Sequence, residues 1–144
     1  MKDKYLIDTN LLITAFTSFD SKERKKIVVE LITTHITDRS LVLSTQNYIE
    51  FVNVIKNKLK CMTDKELSEV LRNLNNTIEL ITCGQNTIQD AFALSVSKKI
   101  NFSDALLLQS MLDNKISTIY TSTPEVYTKI KEIKVINPFK KLKK

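Results

Sequence analysis

The chain has 144 residues, 42% of them hydrophobic, with a formal net charge of +6 and a pI of about 9.3, enough for one domain with a real core and basic enough to suit a polyanionic partner. A single glycine, Gly84, excludes the G-x-G-x-x-G and G-x-x-x-x-G-K-[ST] phosphate loops, and one histidine with two distant cysteines is too little for a Cys/His zinc site. Charges at Lys2, Asp3 and Lys4 and the shortness of every apolar run argue against a signal peptide or membrane span, so a cytoplasmic location is expected.

Tyr5 to Ile7 reads as a strand whose apolar run stops at Asp8 and resumes at Leu11-Leu12-Ile13. A buried carboxylate is costly unless compensated, so Asp8 is either the N-cap of a helix beginning near Asn10 or part of a site at the strand end. Asp20-Ser21-Lys22-Glu23 reads as a capping box opening a helix toward His35, where a cation near the C-terminus is welcome. Leu41 to Leu43 is a second strand. Gln46 to Leu59 carries Ile49, Val52, Ile55 and Leu59 on one helical stripe. Glu50 shares another face with Gln46, Asn53 and Asn57, which either lines a polar cleft or faces water.

A second capping box, Thr63-Asp64-Lys65-Glu66, opens a helix toward Leu74, and Ile78 to Ile81 is a third strand. Cys61 and Cys83 read as small buried or half-buried thiols. Thr87 to Ile100 and Ser103 to Leu112 are helices joined at Lys99-Ile100-Asn101. Asp104 heads an apolar stripe of Leu107, Leu108 and Met111 and should face inward, unless it is only a first-turn acid beside a Ser103 cap. Thr118 to Tyr120 and Val135-Ile136 complete the strands, with Thr123-Pro124-Glu125 between them in the form of a helix start. Residues 1–139 are expected to form one domain, followed by a basic tail, 140–144.

Strands alternating with helices imply an α/β layer fold with a parallel sheet. In such folds ligands bind beyond the carboxyl ends of the strands. Asp8 ends the first strand, Glu50 lies in the first turns of the helix after the second, and Asp104 opens the helix before the fourth. All are expected at one edge. Clustered carboxylates repel, and a divalent cation removes that cost. All-oxygen ligands select hard ions, Mg²⁺ or Mn²⁺, which bind phosphate oxygens and activate water. Acids in a basic chain point to a metal-dependent nuclease.

The order "LIDTN", Glu50 in "TQNYIEFVNVI" and Asp104 in "NFSDALLLQSML" resembles the PIN-domain family, especially the small VapC-like toxin ribonucleases. The resemblance implies a five-stranded, mainly parallel α/β/α sandwich, Mg²⁺- or Mn²⁺-dependent RNA cleavage, an antitoxin that covers the active site, and a homodimer. It implies that Asp8, Glu50 and Asp104 are the catalytic metal ligands, with Thr9, Asn10 and Ser103 supporting them. Lys98 and Lys99 are candidate RNA-backbone contacts. Where the family commonly has a fourth acid in a T-x-D pattern, this chain has Thr123. Its hydroxyl could hold a metal-bound water, but the missing acid also leaves open a weak or inactive RNA- or protein-binding module.

Overall fold

The computed structural model describes residues 3–140, so most of the basic tail lies outside the described residues. The strands are β1 (Tyr5–Ile7), β2 (Leu41–Ser44), β3 (Glu79–Ile81), β4 (Thr118–Tyr120) and β5 (Lys134–Ile136). They form one sheet in the order β3-β2-β1-β4-β5. Every pairing is parallel, where the sequence reading required only most to be.

The helices are α1 (Thr9–Phe16), α2 (Lys22–Thr37), α3 (Thr45–Asn53), α4 (Asp64–Thr77), α5 (Gln85–Lys98) and α6 (Phe102–Asp113). α3 runs on into a π-helical segment, Val54–Leu59, which stops at Lys60 in the left-handed conformation. That segment completes the helix expected from Gln46 to Leu59.

Strand alternation sorts the core into two clusters. Ile7, Leu41 and Leu43 join Leu11, Leu12, Val28, Phe51 and Leu74. Leu6, Val42 and Ile119 join Leu107, Leu108 and Met111 of α6. Successive strand side chains point to opposite faces, so each face of the sheet carries its own apolar layer and the α/β/α sandwich follows. A strand buried on both faces needs a continuous apolar run, which "LVL" supplies in β2.

Several local readings shift. α2 is capped by Ser21, whose hydroxyl accepts from Arg24 N at 3.1 Å, and not by Asp20. Asp20 instead accepts from Ser21 N at 2.8 Å and lies 3.3 Å from the Thr14 hydroxyl. The Thr63–Glu66 box forms as expected. α6 begins a residue earlier than read, because Asn101 accepts from Asp104 N at 2.9 Å and takes the cap assigned to Ser103. Thr123-Pro124-Glu125 opens only a turn and a short 3₁₀ helix, Tyr127–Lys129.

His35 lies in the last turn of α2 as read, but not as a welcomed cation. It is buried, with Nδ1 2.8 Å from Ser40 Oγ and Nε2 3.0 Å from the Tyr120 hydroxyl, and burial pushes its pKa below the ordinary histidine value. Cys61 is exposed, not buried, whereas Cys83 is half-buried as read.

Candidate active site

Chain order makes β1 the centre of the sheet: β2 and β3 extend it to one side, then β4 and β5 to the other. The helices that leave β1 and enter β4 therefore diverge, and a crevice opens at the carboxyl ends of these two strands. The strands are tied there by a bond from Asp8 N to the Tyr120 carbonyl, 3.0 Å.

Asp8 follows β1 directly. Its Oδ1 accepts from Thr9 N at 2.8 Å, which makes it the N-cap of α1, while Oδ2 accepts from the Thr121 hydroxyl at 2.8 Å. Capping and a place in the crevice are thus both true of the same carboxylate. Burial pushes its pKa up more than these two bonds pull it down, and the Asp104 charge adds to the rise.

Glu50 reaches the crevice from α3. The residue as a whole is exposed, yet it lines the cavity. Partial burial, then the charges of Asp8 and Asp104, raise its pKa, against a smaller opposing effect of Lys58. Asp104 comes from the first turn of α6 and accepts a bond from the Tyr127 hydroxyl at 3.4 Å. Burial and the surrounding negative charge hold the Tyr127 phenol far above its ordinary pKa, so it remains a donor.

These side chains line one small cavity of about 140 Å³, together with Asn10, Gln46, Asn47, Ser103, Leu107 and Thr123. Of the expected supporting residues, Asn10, Ser103 and Thr123 reach its wall. Thr9 acts from behind. Its hydroxyl accepts from Asn47 Nδ2 at 2.9 Å, and the Asn47 carbonyl in turn accepts from Ser44 at 2.8 Å. This chain locks the start of α1 to the start of α3. The Thr123 hydroxyl lies 3.3 Å from that of Thr121. Lys98 and Lys99 are exposed at the end of α5 and do not contribute to this wall.

Sequence reasoning did not name Thr121, Tyr127 or Asn47 as site residues, and it left Gln46 between a polar cleft and solvent. Gln46 carried a signal, one helical turn before Glu50 on the same face, and Thr121 stands where the T-x-D pattern begins. Asn47 and Tyr127 reach the cavity by folding alone, whereas Thr121 is buried and bonded to Asp8.

The donors are all oxygens, and neither ion pair among the described residues, Lys4–Glu79 or Lys56–Asp64, involves these acids. Burial with mutual repulsion and no direct cationic partner is a deficit that a hard divalent cation offsets. The donor set fits such an ion in kind and in place. As positioned, however, no group of three or more His, Cys, Asp and Glu side chains among the described residues is arranged to hold one. Asp8 and Asp104 are instead turned onto Thr121 and Tyr127.

The PIN domain family model matches residues 5–127, which include every acid of this cavity. The chain belongs to the PIN domain family. No curated protein sequence matches it. Among solved structures, this PIN domain is similar to a toxin-antitoxin complex from Klebsiella pneumoniae, with 18% identity, TM-score 0.70, and coverage of 94% of this chain and 98% of the other. It is also similar to VapBC-1 from nontypeable Haemophilus influenzae, with 18% identity, TM-score 0.69 and coverage of 94% and 98%. A third is Mycobacterium tuberculosis VapC20, a sarcin-ricin loop cleaving toxin, with 13% identity, TM-score 0.69 and coverage of 87% and 94%. At these identities the likeness is one of fold. Among the described residues no helix is long and apolar enough to cross a membrane.

Proposed function

We propose that this PIN domain is a metal-dependent endoribonuclease that hydrolyses RNA phosphodiesters, acting in the cytoplasm as the toxin of a toxin-antitoxin pair. The observation that carries the reading is the meeting of Asp8, Glu50 and Asp104, from three separate elements, at the crevice beside β1 and β4. In this reading they are the catalytic acids and together hold Mg²⁺ or Mn²⁺. The bound ion supplies a water of lowered pKa and positive charge beside the phosphodiester oxygens.

The chain's own residues do the rest. The Thr121 hydroxyl and Thr9 N fix the two oxygens of Asp8, and Tyr127 restrains Asp104 until the site is loaded. Asn10, Ser103 and Thr123 shape the wall beside the acids. Lys98 and Lys99 draw in the RNA backbone. The fold shared with toxins in antitoxin complexes supports an antitoxin partner, and a homodimer belongs to the same reading.

A second reading has its own support. Thr123 stands where the family commonly has an acid, and the acids, though they line one cavity, are not arranged as placed to hold an ion. In this reading the domain binds RNA or a protein without cutting. Incubating purified protein with RNA in Mg²⁺, Mn²⁺ or EDTA separates the two. Cleavage that needs the metal and disappears in Asp8→Asn supports the nuclease, whereas RNA binding without cleavage in either metal selects the second reading.

A further inference from the structure

Gln46 and Asn47 are successive residues in the first turn of α3, and their side chains are bonded to different elements. Asn47 Nδ2 donates to the Thr9 hydroxyl at 2.9 Å, at the start of α1 and next to Asp8. Gln46 Nε2 donates to the Ser103 carbonyl at 2.8 Å, in the first turn of α6 and next to Asp104. Glu50 follows these residues by four and three positions, so it stands one turn further along the same side of the helix. Two adjacent side chains therefore tie the element that carries Glu50 to the two elements that carry the other acids.

Packing alone does not account for this. Thr9, Ser44 and Asn47 are all buried, although the same two helices already supply Leu11, Leu12 and Phe51 to the apolar core. Apolar side chains in their place would hold α1 against α3 about as well, since exchanging both partners of a buried hydrogen bond for apolar groups costs little. Apolar contact is non-directional, however, whereas a hydrogen bond fixes distance and angle. Ser44 sharpens that constraint. Its hydroxyl donates to Asn47 Oδ1 at 2.8 Å and accepts from Asn47 N at 3.0 Å, so the amide cannot turn from Thr9 without giving up the Ser44 bond. The two ties also oppose a force, because the like charges of Asp8 and Asp104 act on Glu50 and favour separation of the three elements.

We propose that Gln46 and Asn47 are positioning residues, which set the distances from Glu50 to Asp104 and to Asp8 so that the three carboxylates can share one divalent cation. The assignment rests on the metal-dependent reading above.

The test measures Mn²⁺ binding to the full chain by electron paramagnetic resonance, without RNA, and thermal melting in EDTA. Asn47→Leu and Gln46→Met each remove one tie at similar side-chain volume, and each should weaken Mn²⁺ binding about 10-fold. Adding Thr9→Val to Asn47→Leu should cause no further loss, because both changes remove the same bond. Thr87→Val breaks a bond to Asp113 at the other end of α6, and it should lower the melting temperature while keeping wild-type Mn²⁺ affinity. Gln46 is only half-buried, so its variant keeps the test decisive if Asn47→Leu does not fold.

Wild-type affinity in a folded Asn47→Leu or Gln46→Met protein overturns the assignment. So does an equal loss in Thr87→Val, since affinity would then merely follow stability. Mn²⁺-dependent RNA cleavage by the wild type with unchanged affinity in the variants overturns it and leaves the nuclease reading intact. Weakened Mn²⁺ binding in the variants, with no cleavage by the wild type, supports the positioning role and ends the nuclease reading instead. A wild type that binds no Mn²⁺ overturns both.

Discussion

The Thr121 hydroxyl donates to Asp8 Oδ2 at 2.8 Å, joining residues 113 apart in the chain. This one bond stitches the end of β4 to the end of β1, and it stabilises the ionised form of a carboxylate that burial disfavours. Thr121→Val should therefore raise the Asp8 pKa further. The acid limb of the pH profile for metal-dependent cleavage should move to higher pH, since metal binding requires the carboxylate. Thr121→Ser keeps the hydroxyl and should leave the profile in place. An unmoved limb in the valine variant removes Thr121 from the positioning of Asp8.

Asp8→Asn should separate stability from function. Burial raises the folded-state pKa of Asp8 above its unfolded value. For an acid shifted in that direction, the folded state binds the extra proton, and stability falls as pH rises through the interval between the two values. At neutral pH the charge is a standing cost in the metal-free protein. Asparagine removes it and still caps α1. The variant should melt at a higher temperature than the wild type in EDTA, yet lose more than ~100-fold in metal-dependent cleavage. A lower melting temperature contradicts the electrostatic account.

Thr123→Asp places a carboxylate on the cavity wall, where Thr123 already stands. Added ligand charge tightens binding of a hard cation. Calorimetry should show Mn²⁺ binding stronger by on the order of 10-fold. Thr123→Ala, which removes only a hydroxyl, should change it little. Unchanged binding in the aspartate variant means that position 123 does not face the ion.

His35 makes stability depend on pH in a separate window. Its folded-state pKa is lowered by burial, so the unfolded chain takes up the proton first. Stability is complete above about pH 6.5, the unfolded value, and declines as pH falls from there toward the folded pKa. It is the sole histidine, and the raised carboxyls of Asp8 and Glu50 act on stability in the opposite direction, so the His35 variant isolates its share. Thermal melts between pH 7.5 and 5 should show the decline, and His35→Phe should flatten it even if the variant is less stable throughout.

Phe51, next to Glu50 on α3, is fully buried and meets Phe16 of α1 edge-on at 5.8 Å. Phe51→Ala should cost about 3–5 kcal/mol in denaturant unfolding. A loss below about 1 kcal/mol would show that α1 and α3 are held together mainly by other contacts.

Much of this molecule is legible along the chain because its signals are local. The run Tyr5-Leu6-Ile7, the "LVL" of β2 and the Thr63–Glu66 box each specify their element within a few residues. Where two local signals competed, the tertiary contact chose. Asp20 is as good a cap as Ser21 on paper, but its carboxylate is turned to Ser21 N and the Thr14 hydroxyl and leaves the cap to Ser21. His35 reads as a helix-end cation until Ser40 and Tyr120 enclose it.

The acids and their strand-end positions were accessible from residue type, apolar spacing and the rule that ligands gather at the carboxyl edge of a parallel sheet. The strand order that sets β4 beside β1 is not written in any local window, and it brings Thr121 to Asp8, while Tyr127 meets Asp104 by the return of the chain after β4. Sequence by itself determined which groups could carry charge and which segments could form strands and helices, because those properties depend on side-chain chemistry and short-range periodicity. Only the tertiary structure decided how strongly Asp8 and Glu50 resist ionisation and which hydroxyls restrain the acids, because desolvation and hydrogen bonding depend on neighbours that the chain brings in from far away.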